Sequence, residues 1–534
     1  MTINRRQAMK LGGTAAALAL APGLVATRAS AAGMTGAGRR VKAGGTFSGA
    51  FDEGPGGQPE LFNPLTATAG ATSLQLLYSP LVNYTMNFQK QVGDLATSWT
   101  LSPDATKYTF KLRPGITWHD GQPFTSQDVK FTLQLAQNPA SASTVGANLP
   151  PISSIDTPSD TEVRVTFATP NVTVLNSLAS LPMLPQHLLS KYSPSDLVKS
   201  QYWSGNPVGT GPFQWGKYVQ GQYTQLKAFP KYWRGKPKLD TLINTYFSDP
   251  AASVIALQKQ SIQFDYLALA DAQNLKGSKN IKVISGSSMV VNYLGWNFKD
   301  LRFKDLRVRQ AFMHAIDRKT IIARLYQGGA TLVNGPFDNP KYQSPSATKY
   351  DYNPKKAKQL LKAANWDAIK GSPIEIVTYY TDQTTQSVLT AFQQQLGAVG
   401  IQVTLRQVDS VTFGGISKAG KFTMIFAGRA NGPDPDATRT AFISTATPPA
   451  GANYLGINIS QLDQLYAQGL QEVNATKRAG IYQDIYKTFS EQLPIGPMWV
   501  AKRYGGVARS IANFKWSPNS VGFYDAEWQS WGRV

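Results

Sequence analysis

The residues of this chain with the clearest capacity for chemistry lie in one short, polar segment. An apolar strand is predicted at residues 422–426, and Arg429, Asn431, Asp434 and Asp436 follow it among glycines and prolines. Polar side chains on a loop that follows a buried strand are often held towards a ligand. Two neighbouring carboxylates could also form a catalytic or metal-binding pair, although Asp beside Pro more commonly shapes a turn. The pattern favours turn formation for Asp434 and Asp436.

Other reactive side chains are scarce. The chain has no cysteine, and its three histidines, His119, His187 and His314, are far apart in sequence. The lack of cysteine excludes disulfides, thiolate catalysis and lipid attachment through Cys. A catalytic triad or a metal centre built on histidine is a poor hypothesis for such a chain. We therefore predict no catalytic residue, no bound metal and no cofactor.

Composition places the chain among ordinary globular proteins, with 42% hydrophobic and 16% charged residues. Its length of 534 residues predicts two or three lobes. The net charge of +21 favours anionic partners or surfaces through its long-range field. The basic residues are scattered and form neither a run nor a basic helix, so we predict a solvated basic surface and no nucleic-acid binding.

The first 31 residues read as an export signal. The segment 4–10, NRRQAMK, resembles the twin-arginine export pattern, except that Ala8 stands where a large apolar residue is usual. An apolar stretch at residues 11–26 is too short and too weak for a stable membrane span, and residues 29–31, ASA, supply a cleavage site. We predict removal of this segment and a soluble mature protein in the periplasm.

Hydrophobic periodicity predicts both strands and helices. Tyr108, Phe110 and Leu112 alternate with polar residues, which predicts a half-buried strand. Thr125 and Asp128 have the spacing of a capping box at the start of a helix. A helix is predicted over 388–399 and ends at Gly400. It is followed by a predicted strand in which the apolar residues 401, 403 and 405 alternate with polar ones. Two further helices are predicted at 461–473 and 477–492. Such helix–strand units predict an α/β fold.

Several motifs spread along the chain resemble bacterial family 5 extracellular solute-binding proteins, which serve ABC importers for oligopeptides, dipeptides and nickel. The motifs are LATSW at 95–99, YTFKLRPG at 108–115, WHDGQPFTSQDV at 118–129, NPVGTGPF at 206–213, YWRGKPKLD at 232–240, DLRVRQAFMHAIDR at 305–318 and YNPKKAKQLL at 352–361. His119 lies in the HDG turn of this pattern, so we interpret it as structural.

The resemblance implies an α/β, two-lobed periplasmic binding protein fold with mixed sheets flanked by helices and an extra subdomain on the first lobe. It assigns residues 44–80, 205–288 and 495–534 to lobe I and residues 81–204 to the extra subdomain. Lobe II is assigned to residues 289–494, and the lobes are expected to close over a ligand.

The resemblance also suggests ligand-binding residues. Asn431 stands where peptide-binding relatives carry an Asp for the peptide ammonium, and Gly428-Arg429 replaces a Gly-Trp pair. An Asn can accept a hydrogen bond from an ammonium but supplies no counter-charge. The segment 376–382 has no Arg at the place of a dipeptide carboxylate clamp, which argues against strict dipeptide binding. The full set of predicted ligand-binding residues is Phe51, Asp52, Glu53, Tyr379, Tyr380, Arg429, Asn431, Asn453 and Tyr454.

The resemblance implies a substrate-binding component that delivers a peptide or a related small organic solute to an inner-membrane ABC permease and acts as a monomer. An opine-like conjugate held by Arg429 is an alternative ligand. Another is an oligosaccharide stacked on aromatic side chains, for which Tyr379, Tyr380, Tyr454 and Trp296 are the candidates. The remote alternative is an exported hydrolase, which would need Asp434 and Asp436 for acid–base work. No surrounding motif supports that alternative.

Overall fold

A computed structural model of the chain describes residues 41–51, 61–66, 71–88, 90–146, 149–448, 451–518 and 524–534. The predicted export signal at residues 1–31 lies outside the described residues, as do Asp52 and Glu53. Residues Val41–Val534 fold as one unit.

Strands and helices alternate along most of this unit. In chain order, strands β1 to β20 are Thr46–Ala50, Val82–Thr85, Gln91–Gly93, Ala96–Leu101, Lys107–Leu112, Ile152–Ser159, Glu162–Phe167, Phe213–Val219, Tyr223–Ala228, Thr241–Thr245, Phe264–Leu267, Ile281–Trp296, Ala330–Leu332, Ile374–Thr378, Val403–Gln407, Met424–Ala430, Ile495–Ala508, Ile511–Ala512, Tyr524–Asp525 and Gly532–Arg533. Helices α1 to α17 are Ala71–Leu77, Ser126–Gln137, Val174–Leu178, Gln186–Leu189, Pro194–Val198, Tyr202–Gly205, Pro250–Gln258, Leu269–Asn274, Leu306–Ala315, Arg318–Arg324, Pro354–Ala363, Trp366–Ile369, Gln383–Gly397, Ser410–Ala419, Arg439–Phe442, Ser460–Gln471 and Ala475–Gln492.

The largest sheet is mixed and is held together by two long strands. Its order is β15-β14-β16-β12-β17-β11-β1-β10-β9-β8, and β13 also pairs with β17. We call β11, β1, β10, β9 and β8 the first half-sheet, and β15, β14 and β16 the second half-sheet. The first part of β12 pairs with the end of β17 beside β11, whereas Val290–Trp296 pairs with β16. The half-sheets are therefore joined through β12 and β17.

The junction between the half-sheets is irregular. The pairing of β12 with β17 shifts register between Ser287 and Val291, and Met289 within this interval has a φ of 54°. A bulge of this kind bends a strand and increases its local twist. The same interval carries the carbonyl of Met289, which contacts the candidate site described below.

The apolar core is divided in the same way as the large sheet. One cluster joins the first half-sheet to the segment 81–204, whose sheet has the order β4-β5-β7-β6 and packs against α2. Two other clusters fill the region from residue 293 to residue 499, on the two faces of the second half-sheet. Burial of these apolar side chains is the main term that holds each region together.

Several predicted elements are confirmed. Tyr108, Phe110 and Leu112 are buried in β5, and Thr125 and Asp128 form the capping box of α2. The helices predicted at 461–473 and 477–492 are α16 and α17. Local spacing was sufficient here because each signal depends on residues within one or two turns of each other.

Two boundaries differ from the predictions. β16 continues to Ala430 because its residues pair with β12, so Arg429 lies on a strand and not in the loop. β15 begins at Val403, after Gly400 with a φ of 92°, and Leu405 is exposed because β15 is the edge strand of the sheet. Pairing partners and edge position override local propensity in strands.

Candidate ligand-binding site

The two carboxylates of the loop are bonded within the protein. Arg478 on α17 binds Asp434 in a bidentate pair, with Nη1–Oδ2 and Nη2–Oδ1 distances of 2.7 and 2.8 Å. Asp434 also accepts from the backbone N–H of Asp436 at 2.9 Å and so begins the short 3-10 helix Pro435–Thr438. Burial acts to raise the pKa of Asp434, but the adjacent Arg478 outweighs it and lowers that pKa.

Asp436 is held in a similar way. The Tyr482 hydroxyl donates to its Oδ1 at 3.0 Å, and Arg439 Nε donates to its Oδ2 at 3.2 Å. Burial raises the pKa of Asp436 in spite of the Arg439 charge. Both carboxylates border the cavity described below but are bonded within the protein, and these bonds shape the loop, as the turn interpretation predicted.

Arg429 is placed differently from the other two arginines. It is paired with Val291 of β12 near the end of β16. Its Nη2 donates to the Ala437 carbonyl at 3.4 Å, and its guanidinium lies 5.8 Å from the centre of the Phe442 ring. Its Nε is buried without a hydrogen-bond partner, and no carboxylate among the described residues forms an ion pair with it.

Asn431 has the most unusual environment in the site. Its backbone N–H donates to the Met289 carbonyl at 2.8 Å, and its side chain is 1% exposed. Neither Oδ1 nor Nδ2 has a hydrogen-bond partner among the described residues. Because an amide buried without partners costs about 1–3 kcal/mol, such a group requires an explanation. An ordered water or a polar ligand group that reaches this amide would supply the missing partners.

A cavity of about 320 Å³ lies beside this loop. One wall comes from the loop and β16 and includes Arg429, Asp434 and Arg439, and the other comes from the segment 84–180 and includes Tyr84 and Asn176. This volume is at the lower end of the range usual for small-molecule sites. Sequence reasoning missed the second wall, because Tyr84 and Asn176 lie in no motif that points to a ligand.

The two walls of the cavity are bonded to each other. The backbone N–H of Val172 donates to the Leu470 carbonyl at 2.9 Å, and Asn176 lies near Asp434, where it helps to lower the pKa of that carboxyl group. Tyr84 donates its hydroxyl hydrogen to Asn176 Oδ1. The segment 81–204 thus contacts the second half of the chain around the cavity.

Tyr379 and Tyr380 pack against each other, with ring centres 4.5 Å apart. The Tyr380 hydroxyl accepts from Asn292 Nδ2 at 2.9 Å and would lie 2.1 Å from a Cβ added at Gly428. Glycine is required there, since the hydroxyl occupies the space of a side chain. Gly428 and Arg429 lie on opposite faces of β16, so Tyr380, above Gly428, is on the face away from Arg429. Tyr379 packs in the third core cluster with Tyr293 and Ala427, on the same face as Arg429.

The remaining predicted residues are engaged in packing. Phe51 is buried in the first core cluster, 4.9 Å from the Phe264 ring, and only its backbone N–H has a polar bond, to Asn244 Oδ1 at 3.1 Å. Asn453 is buried and makes three hydrogen bonds to the backbone of Ile443 and Ile457.

Tyr454 is half-buried among the residues of the third core cluster. Burial, and then contact with the Tyr454 hydroxyl, raises the pKa of Tyr293. These contacts place Tyr454 against the strand β12, so a role at the ligand is not required to explain its position. Asp52 and Glu53, the last two predicted residues, lie outside the described part of the chain.

The far end of β16 has an uncovered edge. β14 pairs with β16 only at Met424 and Ile425. In the described part of the chain no strand pairs with residues 428–430 on that side, and these residues, unlike Phe426 and Ala427, are not buried. An uncovered strand edge presents N–H and C=O groups that can pair with an extended ligand. We call residues 428–430 the open edge.

Comparison with known proteins identifies the family. The family model described as "Bacterial extracellular solute-binding proteins, family 5 Middle" matches residues 90–449 of this chain. The chain belongs to this family. It is a solute-binding protein of an ABC importer, and the resemblance seen in its sequence motifs is confirmed.

Individual relatives agree with this assignment. A Brucella ovis protein named as an ABC transporter peptide-binding protein is 43% identical over 496 residues, covering 92% of this chain and 94% of the relative. AppA of Bacillus subtilis, solved in complex with a nonapeptide, matches with a TM-score of 0.80 and 25% identity, covering 93% and 100% of the two chains. AgaA of A. tumefaciens R10, solved with agropinic acid, matches with a TM-score of 0.77 and 25% identity, covering 92% and 99%.

These comparisons confirm the two-lobed periplasmic binding protein fold with mixed sheets flanked by helices. The boundaries predicted for the lobes and the extra subdomain stay predictions. None of the described helices combines the length and apolar character that crossing a bilayer requires. Within the described residues, no group of three or more His, Cys, Asp or Glu side chains is placed to hold a metal ion.

Proposed function

We propose that this family 5 protein captures an extended peptide or a peptide-like solute in the periplasm and delivers it, as a monomer, to an inner-membrane permease. The observation that carries the proposal is the unpartnered, buried amide of Asn431 at the end of the open edge. The peptide-binding names of the Brucella and Bacillus relatives support it.

The contacts of the loop indicate how the ligand would be held. Asp434 is already neutralised by Arg478, so it cannot serve as a free counter-charge for a peptide ammonium. Asn431 can accept from that ammonium, and the open edge can pair with the peptide backbone. Backbone pairing recognises extended peptides of several sequences, because every residue carries one N–H and one C=O.

Catalysis is not part of the proposal. A hydrolase would need a carboxylate free to transfer protons to or from a bound substrate. Asp434 and Asp436 are instead held by Arg478, Arg439 and Tyr482. Ligand binding by closure of two lobes requires no reacting group, and a ligand only has to favour the closed state.

An opine-like conjugate is the second candidate, and Arg429 is the observation that favours it. A guanidinium without a carboxylate partner could bind the acid group of such a conjugate. An oligosaccharide is less well supported, because the Tyr379 and Tyr380 rings stack on each other and Tyr379 also packs on Phe413.

Native mass spectrometry of protein exported by its own host, followed by calorimetry with peptides of two to nine residues, tests the proposal. We expect a co-purifying peptide or peptide-like solute, and binding that tolerates changes of side chain but fails when backbone amides are N-methylated. Agropinic acid and a maltose oligosaccharide serve as the comparison ligands. Binding of only one of these, with no response to any peptide, would contradict the peptide assignment.

A further inference from the structure

The cavity beside the loop contains more positive than negative charge. Three guanidiniums, those of Arg429, Arg439 and Arg478, lie in or next to it, together with two carboxylates, those of Asp434 and Asp436. Arg478 pairs with Asp434, and Arg439 pairs with Asp436. Among the described residues this leaves Arg429 as the cation of the group without an ionic partner.

The opposite wall does not supply a counter-charge. The side chains that the segment 84–180 contributes to the cavity are uncharged: Tyr84, Val145, Thr173, Asn176, Ser177 and Ser180. Several of these carry hydroxyl or amide groups, which can bond to the second oxygen of an anion that is already bound to an arginine. The cavity therefore combines one uncompensated guanidinium with a neutral, hydrogen-bonding wall.

The guanidinium of Arg429 is also held in place. Its Nε is buried, its Nη2 donates to the Ala437 carbonyl, and the Phe442 ring lies on one side of it. An arginine fixed in this way presents its donors in a constant direction, and its planar guanidinium can donate two parallel hydrogen bonds to a carboxylate. Leaving a buried Nε without a partner is costly unless a ligand completes its bonding.

From these observations we propose that Arg429 selects solutes that place a carboxylate in this cavity. The inference rests on the proposed function and narrows its substrate class to anionic peptides or peptide-like acids. A volume of about 320 Å³ is enough for one or two residues of a peptide. The carboxylate could be the peptide's C-terminus or an acidic side chain, and both carry the same chemistry.

Calorimetry with matched tetrapeptides tests the inference and separates these two sources. The probes are Ala-Ala-Glu-Ala, Ala-Ala-Gln-Ala and the C-terminal amides of both. For the native protein we expect loss of the critical carboxylate to weaken binding by about 10- to 100-fold, the usual worth of a hydrogen-bonded charge. If the affinity differs between the Glu and Gln peptides, the bound carboxylate is that of the side chain. If it differs between each peptide acid and its amide, the bound carboxylate is the C-terminus.

The variants Arg429→Gln and Arg429→Lys show whether the discrimination belongs to this side chain. We expect Arg429→Gln to bind acid and amide probes with similar affinity. Arg429→Lys should recover part of the affinity difference between acid and amide probes, because Lys keeps the charge but cannot donate two parallel hydrogen bonds to one carboxylate. Arg307→Gln is the control, since Arg307 lies outside the cavity and pairs with Asp305 at the surface. Thermal unfolding of each variant shows whether the fold is retained.

The possible failures are distinguishable. Equal binding of all four probes by the native protein would overturn the carboxylate inference and leave the peptide function standing. Discrimination that persists unchanged in Arg429→Gln would also overturn it. Binding of none of the four probes would overturn the proposed function together with the inference.

Discussion

At the scale of single residues, the site is defined by which polar groups already have partners. Asp434, Asp436 and Asn453 are satisfied by bonds within the protein, whereas Asn431 and the Arg429 Nε are not. Native proteins leave few buried polar atoms unpaired, and those that remain are often functional. The unpaired groups are therefore better indicators of a ligand than the charged residues as such.

Replacement of Asn431 by Asp is expected to create the ammonium anchor that this chain lacks. An Asp at this position supplies a counter-charge, so peptides with a free amino terminus should bind about 10-fold more tightly than their N-acetylated forms. In the absence of ligand, the buried charge should lower the thermal unfolding temperature. Calorimetry with each peptide pair and thermal unfolding without ligand measure the two effects.

Asn431→Leu is the matched control for this experiment. It removes both unpaired polar atoms at similar volume, so the ligand-free protein should be as stable as the native one or more so. Peptide binding should weaken in this variant because the polar contact is lost. A native affinity in Asn431→Leu would show that the amide does not contact the ligand.

At the scale of elements, a histidine connects the HDG turn to the turn that precedes β8. The backbone N–H of Gly209 donates to His119 Nδ1 at 3.1 Å, and His119 Nε2 lies 3.1 Å from the Gly211 carbonyl. This arrangement requires the neutral ring, with its hydrogen on Nε2. Burial lowers the pKa of His119 to about 4 from an ordinary value of 6.5. The predicted structural role of this residue fits these contacts.

The stability of the protein should depend on pH through His119. Because the folded state binds this proton less well than the unfolded state, the free energy of unfolding falls as the pH is lowered from about 6.5 to about 4. The full effect is about 3 kcal/mol, at 1.36 kcal/mol for each pKa unit. Denaturant unfolding at pH 7.0, 5.5 and 4.5 measures the slope.

The variant His119→Gln separates this contribution from those of other acids and histidines. It should be less stable at pH 7 but show a smaller loss between pH 7 and pH 4.5 than the native protein. An unchanged slope in His119→Gln would rule out His119 as the titrating group.

At the scale of the whole molecule, the strands β12 and β17 connect the half-sheets, and the cavity has one wall from each side of that connection. The hydrogen bond from Val172 to Leu470 and the proximity of Asn176 to Asp434 hold those walls together. Such contacts stabilise a closed arrangement and so contribute to ligand affinity, because ligand binding and closure are thermodynamically linked.

Loss of the Asn176 side chain should therefore weaken binding, both through its contact with Asp434 and through its place in the cavity wall. We expect Asn176→Ala to lower peptide affinity by about 5- to 10-fold, the usual worth of one polar contact, and to shift the ligand-free ensemble towards larger radii of gyration. Calorimetry and small-angle X-ray scattering give the two values. The exposed side chain of Asn280 offers the control variant Asn280→Ala, and equal results for both variants would exclude the proposed role in closure.

Sequence alone determined the features that depend on neighbours along the chain. The capping box of Thr125 and Asp128, the alternation of Tyr108, Phe110 and Leu112, and the family motifs all act through local geometry or through patterns read directly from residue types. The placement of Asn431 where relatives carry an acidic anchor rests on the neighbouring Asp434-Pro435-Asp436 pattern and stays a prediction.

Only the tertiary structure decided which of the candidate polar groups are free to bind. Arg478 lies 44 residues from Asp434, so no local pattern could predict that it pairs with this carboxylate, and Asn176 reaches the same carboxylate's surroundings from the other wall of the cavity. The burial of Asn431 and the lack of an ionic partner for Arg429 follow from the same packing. Long-range pairing depends on how the whole chain folds. At this site it satisfies the carboxylates and leaves the Asn431 amide and the Arg429 Nε without a partner among the described residues.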